Sequence, residues 1–359
     1  MALPASIYDQ LKIRAGRERV PLFVLCNLTY RCRLACGHCY VGAPAPGQTE
    51  LSTAEYERLF DALAAEGTLF LTFSGGEVLC RGDFMALVAA ARARRFGVRV
   101  FTSGVGLDEA VADALAAARV LAVEITLHAA TAARHDAFAG RPGAWEEAVA
   151  AARRLRARSV GVALKITAMN FNAADVPAVH RLARELGCEF RHSPYVSVAN
   201  DGDRRPLAFR MTDAQLATYF DAYGNIPAPP GAEPPPPSEL CDEDGRPFRP
   251  NRYALSCLAS FNSCSVDPYG VVWPCVGFPL AVGDVRRQSF REVWRGEAME
   301  RFRANARREV AECANCAYDA FCARCAAFSF LEEGDIARAN REHCRIARAA
   351  KEATDRSRP

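Results

Sequence analysis

The sequence predicts an α/β protein, a partial (β/α)6 TIM-like barrel followed by a smaller cysteine-rich domain. Three observations point there. Across residues 21–194 short β-rich runs alternate with longer helical ones, the pattern of βα units around a parallel sheet. Residues suited to chemistry recur just after the strand ends, on the face that the loops of a βα barrel share. Past residue 226 the composition changes, first to proline and then to cysteine.

Residues 1–19 read as an N-terminal extension, where Lys12, Arg14, Arg17 and Arg19 leave no apolar stretch for a signal peptide. The barrel is expected over residues 20–225. Its strands fall at 22–28, 69–73, 98–101, 121–125, 160–166 and 189–191, and its helices near 52–66, 83–96, 108–118, 145–158, 176–186 and 212–223. Ser52 with Glu55 three residues later forms a capping box. Six strands stop short of a closed barrel, which needs eight. Residues 226–250 include Pro234 to Pro237, cannot form a helix or a central strand, and read as a linker. Residues 251–350 form the cysteine-rich domain, where metal more than apolar burial would hold the fold, and residues 351–359 are a tail.

At 359 residues and half apolar, the chain can bury a sizeable core. Its net charge is only +3, and its arginines sit on helical segments such as 92–95 and 153–158 as solvated faces, so nothing suggests nucleic-acid binding. No apolar run is long enough to span a bilayer. Fifteen cysteines without a signal peptide point to metal ligation in a reducing compartment, the cytoplasm.

The first strand leads into Cys32-x3-Cys36-x2-Cys39. Three thiols so spaced can hold three irons of a four-iron cluster and leave the fourth iron open to a small molecule. With His38 they also offer a Cys3His zinc site, and the loop alone leaves both readings standing. Ser74, Gly75, Gly76 and Glu77 follow the second strand. The glycines would let a ligand approach the backbone, and Glu77 offers a carboxylate to a cation. Ser103 and Thr126 put hydroxyls after the third and fourth strands, a place where capping a helix is their ordinary role. Lys165 lies in an apolar run and needs a partner if buried; the alternative is a lysine snorkelling from the barrel exterior. His128, His135, His180, His192 and His343 show no ligand spacing.

The second cysteine group is Cys257-x12-Gly270-x4-Cys275, then Cys313-x2-Cys316-x5-Cys322-x2-Cys325 and Cys344, with Cys264 inside the first interval. The gap between Cys316 and Cys322 is too short for paired zinc-ribbon knuckles, and the whole is looser than a bacterial ferredoxin run. These eight cysteines suffice for two fully ligated four-iron clusters. Cys26, Cys80, Cys188 and Cys241 have no spaced partner and read as small buried hydrophobes or loop thiols.

The Cys32, Cys36 and Cys39 loop, followed one βα unit later by Gly75, Gly76 and Glu77, closely resembles the radical S-adenosylmethionine (SAM) enzymes. The C-terminal cysteines resemble the SPASM extension of the peptide-modifying members. Val78 departs from the usual proline, and two residues instead of three separate Cys322 from Cys325. The resemblance implies SAM and three [4Fe-4S] clusters. Cys32, Cys36 and Cys39 would hold the cluster whose open iron takes the amino and carboxylate groups of SAM. Gly75, Gly76 and Glu77 would bind the SAM ammonium, Ser103 and Thr126 its ribose or carboxylate, and His38 would lie near the adenine. Lys165 would meet a SAM or substrate carboxylate. Cys257, Cys264, Cys275 and Cys325 would hold one auxiliary cluster, and Cys313, Cys316, Cys322 and Cys344 the other. One electron entering the barrel cluster would cleave SAM to methionine and a 5′-deoxyadenosyl radical, which takes a hydrogen atom from the substrate.

The expected substrate is a ribosomally made peptide, oxidised to a thioether or another cross-link, because segments 138–145 and 200–207 look like those of peptide maturases. Oxidation of a small metabolite or cofactor precursor is the alternative enzyme reading. An iron–sulfur electron carrier or a zinc-binding module is the alternative from a different class. A flavodoxin- or ferredoxin-type protein would donate electrons. Leader recognition would come from a separate protein, since the stretch before Cys32 has no room for a winged-helix domain. Val276 after Cys275 replaces the aspartate of sulfatase-maturing enzymes and argues against that activity.

Overall fold

The computed structural model describes residues 6–42, 47–223, 253–254 and 257–357. The proline-rich segment and Cys241 lie outside the described residues. Six strands form where the β-rich runs predict them: β1 (Phe23–Thr29), β2 (Phe70–Gly75), β3 (Gly97–Thr102), β4 (Ala122–Thr126), β5 (Val162–Thr167) and β6 (Glu189–Ser193). Each pairs in parallel with the next. Strand alternation sends Val24, Cys26 and Leu28, Leu71 and Phe73, Val98 and Val100, Val123 and Ile125, and Leu164 and Ile166 into one core. The intervening positions, among them Arg99, Phe101, Glu124, Lys165 and Arg191, point to the opposite, inner face.

Ahead of the barrel, α1 (Ile7–Arg17) is a docked helix: Asn262 donates its amide to Lys12 O at 3.0 Å, and Arg19 pairs with Glu300 at 2.9 Å. Between the strands come α2 (Thr53–Ala65), α3 (Phe84–Ala93), α4 (Glu109–Ala117), α5 (Ala132–Ala139), α6 (Ala144–Ala157) and α7 (Val176–Glu185), then α8 (Asp213–Tyr223). The capping box of Ser52 and Glu55 opens α2 with both of its hydrogen bonds made.

The sheet does not stop at the barrel. Strand β7 (Ser263–Val266) pairs in parallel with β1, and β8 (Val271–Trp273) and β9 (Gly283–Asp284) follow antiparallel, giving one nine-stranded sheet. Cys264, Val266 and Val272 belong to the barrel's own core, together with Phe290, Val293 and Trp294 of α9 (Phe290–Trp294) and its neighbours. The cysteine-rich part therefore begins as an extension of the barrel. A second, smaller core collects Phe278, Phe302 of α10 (Glu297–Ala306), Ala326 and Ala327 of α11 (Ala326–Glu333), and Ile336. The last helix, α12 (Arg341–Ser357), runs through the expected tail and is tied to α8 by Arg345–Asp213 and Arg356–Asp221, each at 2.7 Å. No helix among the described residues is long and apolar enough to cross a membrane.

Candidate active site

The loop of Cys32, Cys36 and Cys39 leaves β1 at the strands' C-terminal ends. What closes on Gly75 and Gly76 is the chain itself, where the sequence suggested a ligand. A Cβ on Gly75, whose φ is +137°, would lie 2.1 Å from Thr29 O, and one on Gly76 would lie 2.5 Å from Arg31 O. The amides of Gly76 and Glu77 donate to Thr29 O at 2.7 Å and Arg31 O at 2.9 Å. The two glycines thus dock the backbone that enters Cys32. Across the loop, a Cβ on Gly37 would meet the Phe209 ring at 2.6 Å.

Glu77 is 1% exposed and fully engaged. It accepts from Thr102 Oγ1 at 2.7 Å, from Ser103 N at 2.8 Å and Oγ at 2.5 Å, and from Leu79 N at 3.2 Å. The Ser103 hydroxyl is therefore directed at Glu77. Thr126 ends β4 on the same rim, partly exposed. Lys165 finds its partner inside the protein: Glu124 lies 3.8 Å away and the Phe101 ring 4.0 Å beneath the ammonium. Arg191 at 2.9 Å and Arg99 at 3.5 Å complete the ring of cations around buried Glu124. Burial lowers the Lys165 pKa, and Glu124 opposes the shift.

His38 packs against His128 and Phe138, with ring centres 5.1 and 5.3 Å away. Burial pushes it down to about 4, so the ring is neutral. The Nδ1 atoms of His38 and His128 are buried without a hydrogen-bond partner among the described residues. His128 Nε2 lies 3.2 Å from Cys36 Sγ, a placement the sequence reading missed although His128 follows β4 on the functional face.

In the C-terminal region Cys313, Cys316, Cys322 and Cys344 line one cavity of about 20 Å³, together with Arg324 and His343. Cys257, Cys275 and Cys325 form the other group: burial pushes the Cys257 thiol up to about 12, and the Cys275 and Cys325 thiols add to the shift. Cys264 departs from the expected set. Strand alternation in β7 turns it into the main core, where burial dominates its environment, Cys26 is the foremost charge neighbour and Cys275 a lesser one. Tyr40 bridges the two regions: burial pushes its hydroxyl up to about 12, with Cys39 on one side and Cys275 on the other adding to the shift. Asn200 ties the same seam, its N–H donating to Tyr40 O and its side-chain amide to Val276 O, both at 2.9 Å.

Residues 26–183 match the radical SAM superfamily, and residues 257–317 match SPASM, described as an iron-sulfur cluster-binding domain. Over 294 residues the chain is 31% identical to the PqqA peptide cyclase of Xanthomonas campestris pv. campestris, covering 80% of this chain and 77% of that protein. The chain belongs to the radical SAM superfamily. This radical SAM enzyme is also 26% identical to the AdoMet-dependent heme synthase of Methanosarcina barkeri, over 88% of its own length and 94% of the relative's. Its fold is shared with Streptococcus suis SuiB, in a crystal structure bound to precursor peptide SuiA, with a TM-score of 0.71, 14% identity, and 95% and 82% of the two chains covered. It uses SAM and iron–sulfur clusters.

The thiols present suit such clusters. Burial pushes Cys36 up to about 12 and raises Cys32 and Cys39, and in Cys32 the Glu77 carboxylate and the Cys39 and Cys80 thiols push the same way. Cys32 and Cys39 stay open at the rim while Cys36 is half-buried, so three soft sulfur ligands face one accessible place, as a cluster with an open iron needs. Among the described residues no three His, Cys, Asp or Glu side chains converge as ligands of a single metal ion do; a cubane spreads its thiolates over several irons.

Proposed function

We propose that this radical SAM enzyme oxidises a ribosomally made peptide, forming a thioether or another cross-link. The observation that carries the reading is the identity to PqqA peptide cyclase, which runs through both the barrel and the cysteine-rich region. The structure of SuiB with its precursor peptide supports it. In this reading Cys32, Cys36 and Cys39 hold the SAM-binding cluster, Cys313, Cys316, Cys322 and Cys344 a second cluster, and Cys257, Cys275 and Cys325 a third. The loaded barrel site supplies hydrogen-atom abstraction by a SAM-derived radical.

The chain's own groups prepare that step. In this reading one of the bonds that Thr102 and Ser103 make to Glu77 gives way, and the carboxylate meets the SAM ammonium at the turn made by Gly75 and Gly76. The neutral ring of His38, backed by Phe138, offers a face for adenine, and Thr126 a hydroxyl for ribose. Lys165, Arg99 and Arg191 outnumber Glu124 on the inner sheet face and suit a carboxylate of SAM or substrate. Tyr40 and Asn200 give an electron a short route from the barrel site toward Cys275. A flavodoxin- or ferredoxin-type donor completes the system.

The heme synthase relative favours a second reading, oxidation of a cofactor precursor. Anaerobically reconstituted protein, given SAM and reductant, separates the two. Release of 5′-deoxyadenosine with loss of two hydrogens from a precursor peptide encoded beside the gene supports the first. Turnover of a heme precursor with all such peptides untouched would reject it.

A further inference from the structure

Arg324 stands between Cys322 and Cys325, two cysteines that the structure sends to different thiol groups. Cys322 lines the cavity with Cys313, Cys316 and Cys344, and Arg324 forms part of the same wall. Cys325, like Cys275, packs against the second core. The Arg324 side chain is buried, at 4% exposure for the residue. Its guanidinium donates to Ala254 O at 2.5 Å, just ahead of Cys257, and to Tyr253 O. It also donates to Ser329 Oγ at 3.2 Å, one turn into the helix that follows Cys325, and to Ile336 O at 3.1 Å on the approach to Cys344. The guanidinium thus shares a wall with Cys313 and Cys322 and holds the backbone three residues ahead of Cys257.

An arginine keeps its proton at any working pH, and a charge out of water is poorly screened. Adding an electron to a cluster adds one negative charge, so a fixed cation beside it favours the reduced form. We propose that Arg324 is a positioning residue whose single buried charge raises the reduction potentials of both auxiliary clusters together. The one electron that the substrate radical gives up after hydrogen abstraction then enters either cluster more readily, as the substrate loses a proton and completes its two-electron oxidation. The proposal rests on the reading that each thiol group holds a four-iron cluster.

The test is a redox titration of the reconstituted holoenzyme followed by electron paramagnetic resonance, in wild type, Arg324→Gln and Arg324→Lys. The Gln variant is expected to lower both auxiliary midpoints by about tenfold or more in the one-electron equilibrium, about 59 mV, with the barrel cluster unmoved. The Lys variant keeps the charge and is expected to stay within about threefold of wild type. Unshifted auxiliary midpoints in the Gln variant overturn the proposal. So does a Lys variant that falls as far as the Gln variant, because the hydrogen-bonding fork would then be the cause. Should the Gln variant lose its iron, the equally neutral Arg324→Met variant takes its place, and unshifted auxiliary midpoints there overturn the proposal. Wild-type protein whose iron content and spectra fit the barrel cluster alone would overturn the cluster reading itself, before any variant is measured.

Discussion

The barrel rim and the C-terminal thiol region are both built to hold clusters, but they are held together differently. The rim stands on a core of Val, Leu, Ile and Phe from six parallel strands, and backbone hydrogen bonds from Gly76 and Glu77 fix the entry to Cys32. Among the described residues the second core has ten buried residues, and six of them are alanines. Alanine removes little apolar surface from water, so this core contributes a small part of the stabilisation that the barrel core does. Cys275, Cys313 and Cys325 pack against it. The difference teaches that the barrel can present its cysteine loop on apolar burial alone, whereas the thiol region depends on metal to complete its fold.

The sharpest way to break this comparison is at the rim. Replacing Cys32, Cys36 and Cys39 together by Ala should remove about four irons and all SAM cleavage, while circular dichroism and the melting temperature stay close to wild type. Unfolding of that variant would show that the barrel, too, leans on its metal. Chelating iron from the wild-type protein should next strip hydrogen-exchange protection from the segment between Cys313 and Cys344 and leave the strands β1 to β5 protected. Equal loss in both regions would erase the distinction.

Smaller effects sharpen it. Cys264→Ala should keep every iron, because Cys264 lies in the barrel core, and should cost about 1 kcal/mol in a denaturant titration for the lost buried sulfur. Loss of about four irons would return Cys264 to the ligand set. The smallest effect concerns the seam between the regions. Arg286, in the C-terminal part, lies 2.8 Å from Glu55 at the start of α2 and, with the amide and hydroxyl of Ser52, holds its carboxyl down from 4.5 to about 2. Because the folded value is the lower, the stabilisation is complete above pH 4.5 and disappears as the pH falls toward 2. The stability difference between wild type and Glu55→Gln should be about 1 kcal/mol or less near neutrality and shrink across that window. A difference that does not change with pH would remove Arg286–Glu55 from the seam.

Much of the barrel was legible because its signals are local. β-rich runs located all six strands to within about two residues, and the Ser52 and Glu55 spacing located a real capping box. What escaped depends on distant partners. Strand β7 has only four residues, too few for alternation to show, and is defined by pairing with β1. Glu124 satisfies Lys165 from the neighbouring strand, and Ser103 serves Glu77 across 26 residues of chain. Helix α5 carries no strong amphipathic stripe, so only its packing beside the cysteine loop marks it, through Ala35 N donating to Ala139 O at 2.8 Å. The cysteine spacings named the chemistry, yet only the pairing of β7 with β1 put Cys264 into the barrel core.

The central claim is that the barrel makes the radical by itself and the C-terminal thiol region resolves it. The most direct measurement is 5′-deoxyadenosine against modified peptide in one anaerobic assay of Cys325→Ala, with iron content and circular dichroism recorded on the same sample. The account predicts continued 5′-deoxyadenosine release with the modified peptide gone. Full product yield from a variant shown to lack that cluster would contradict it.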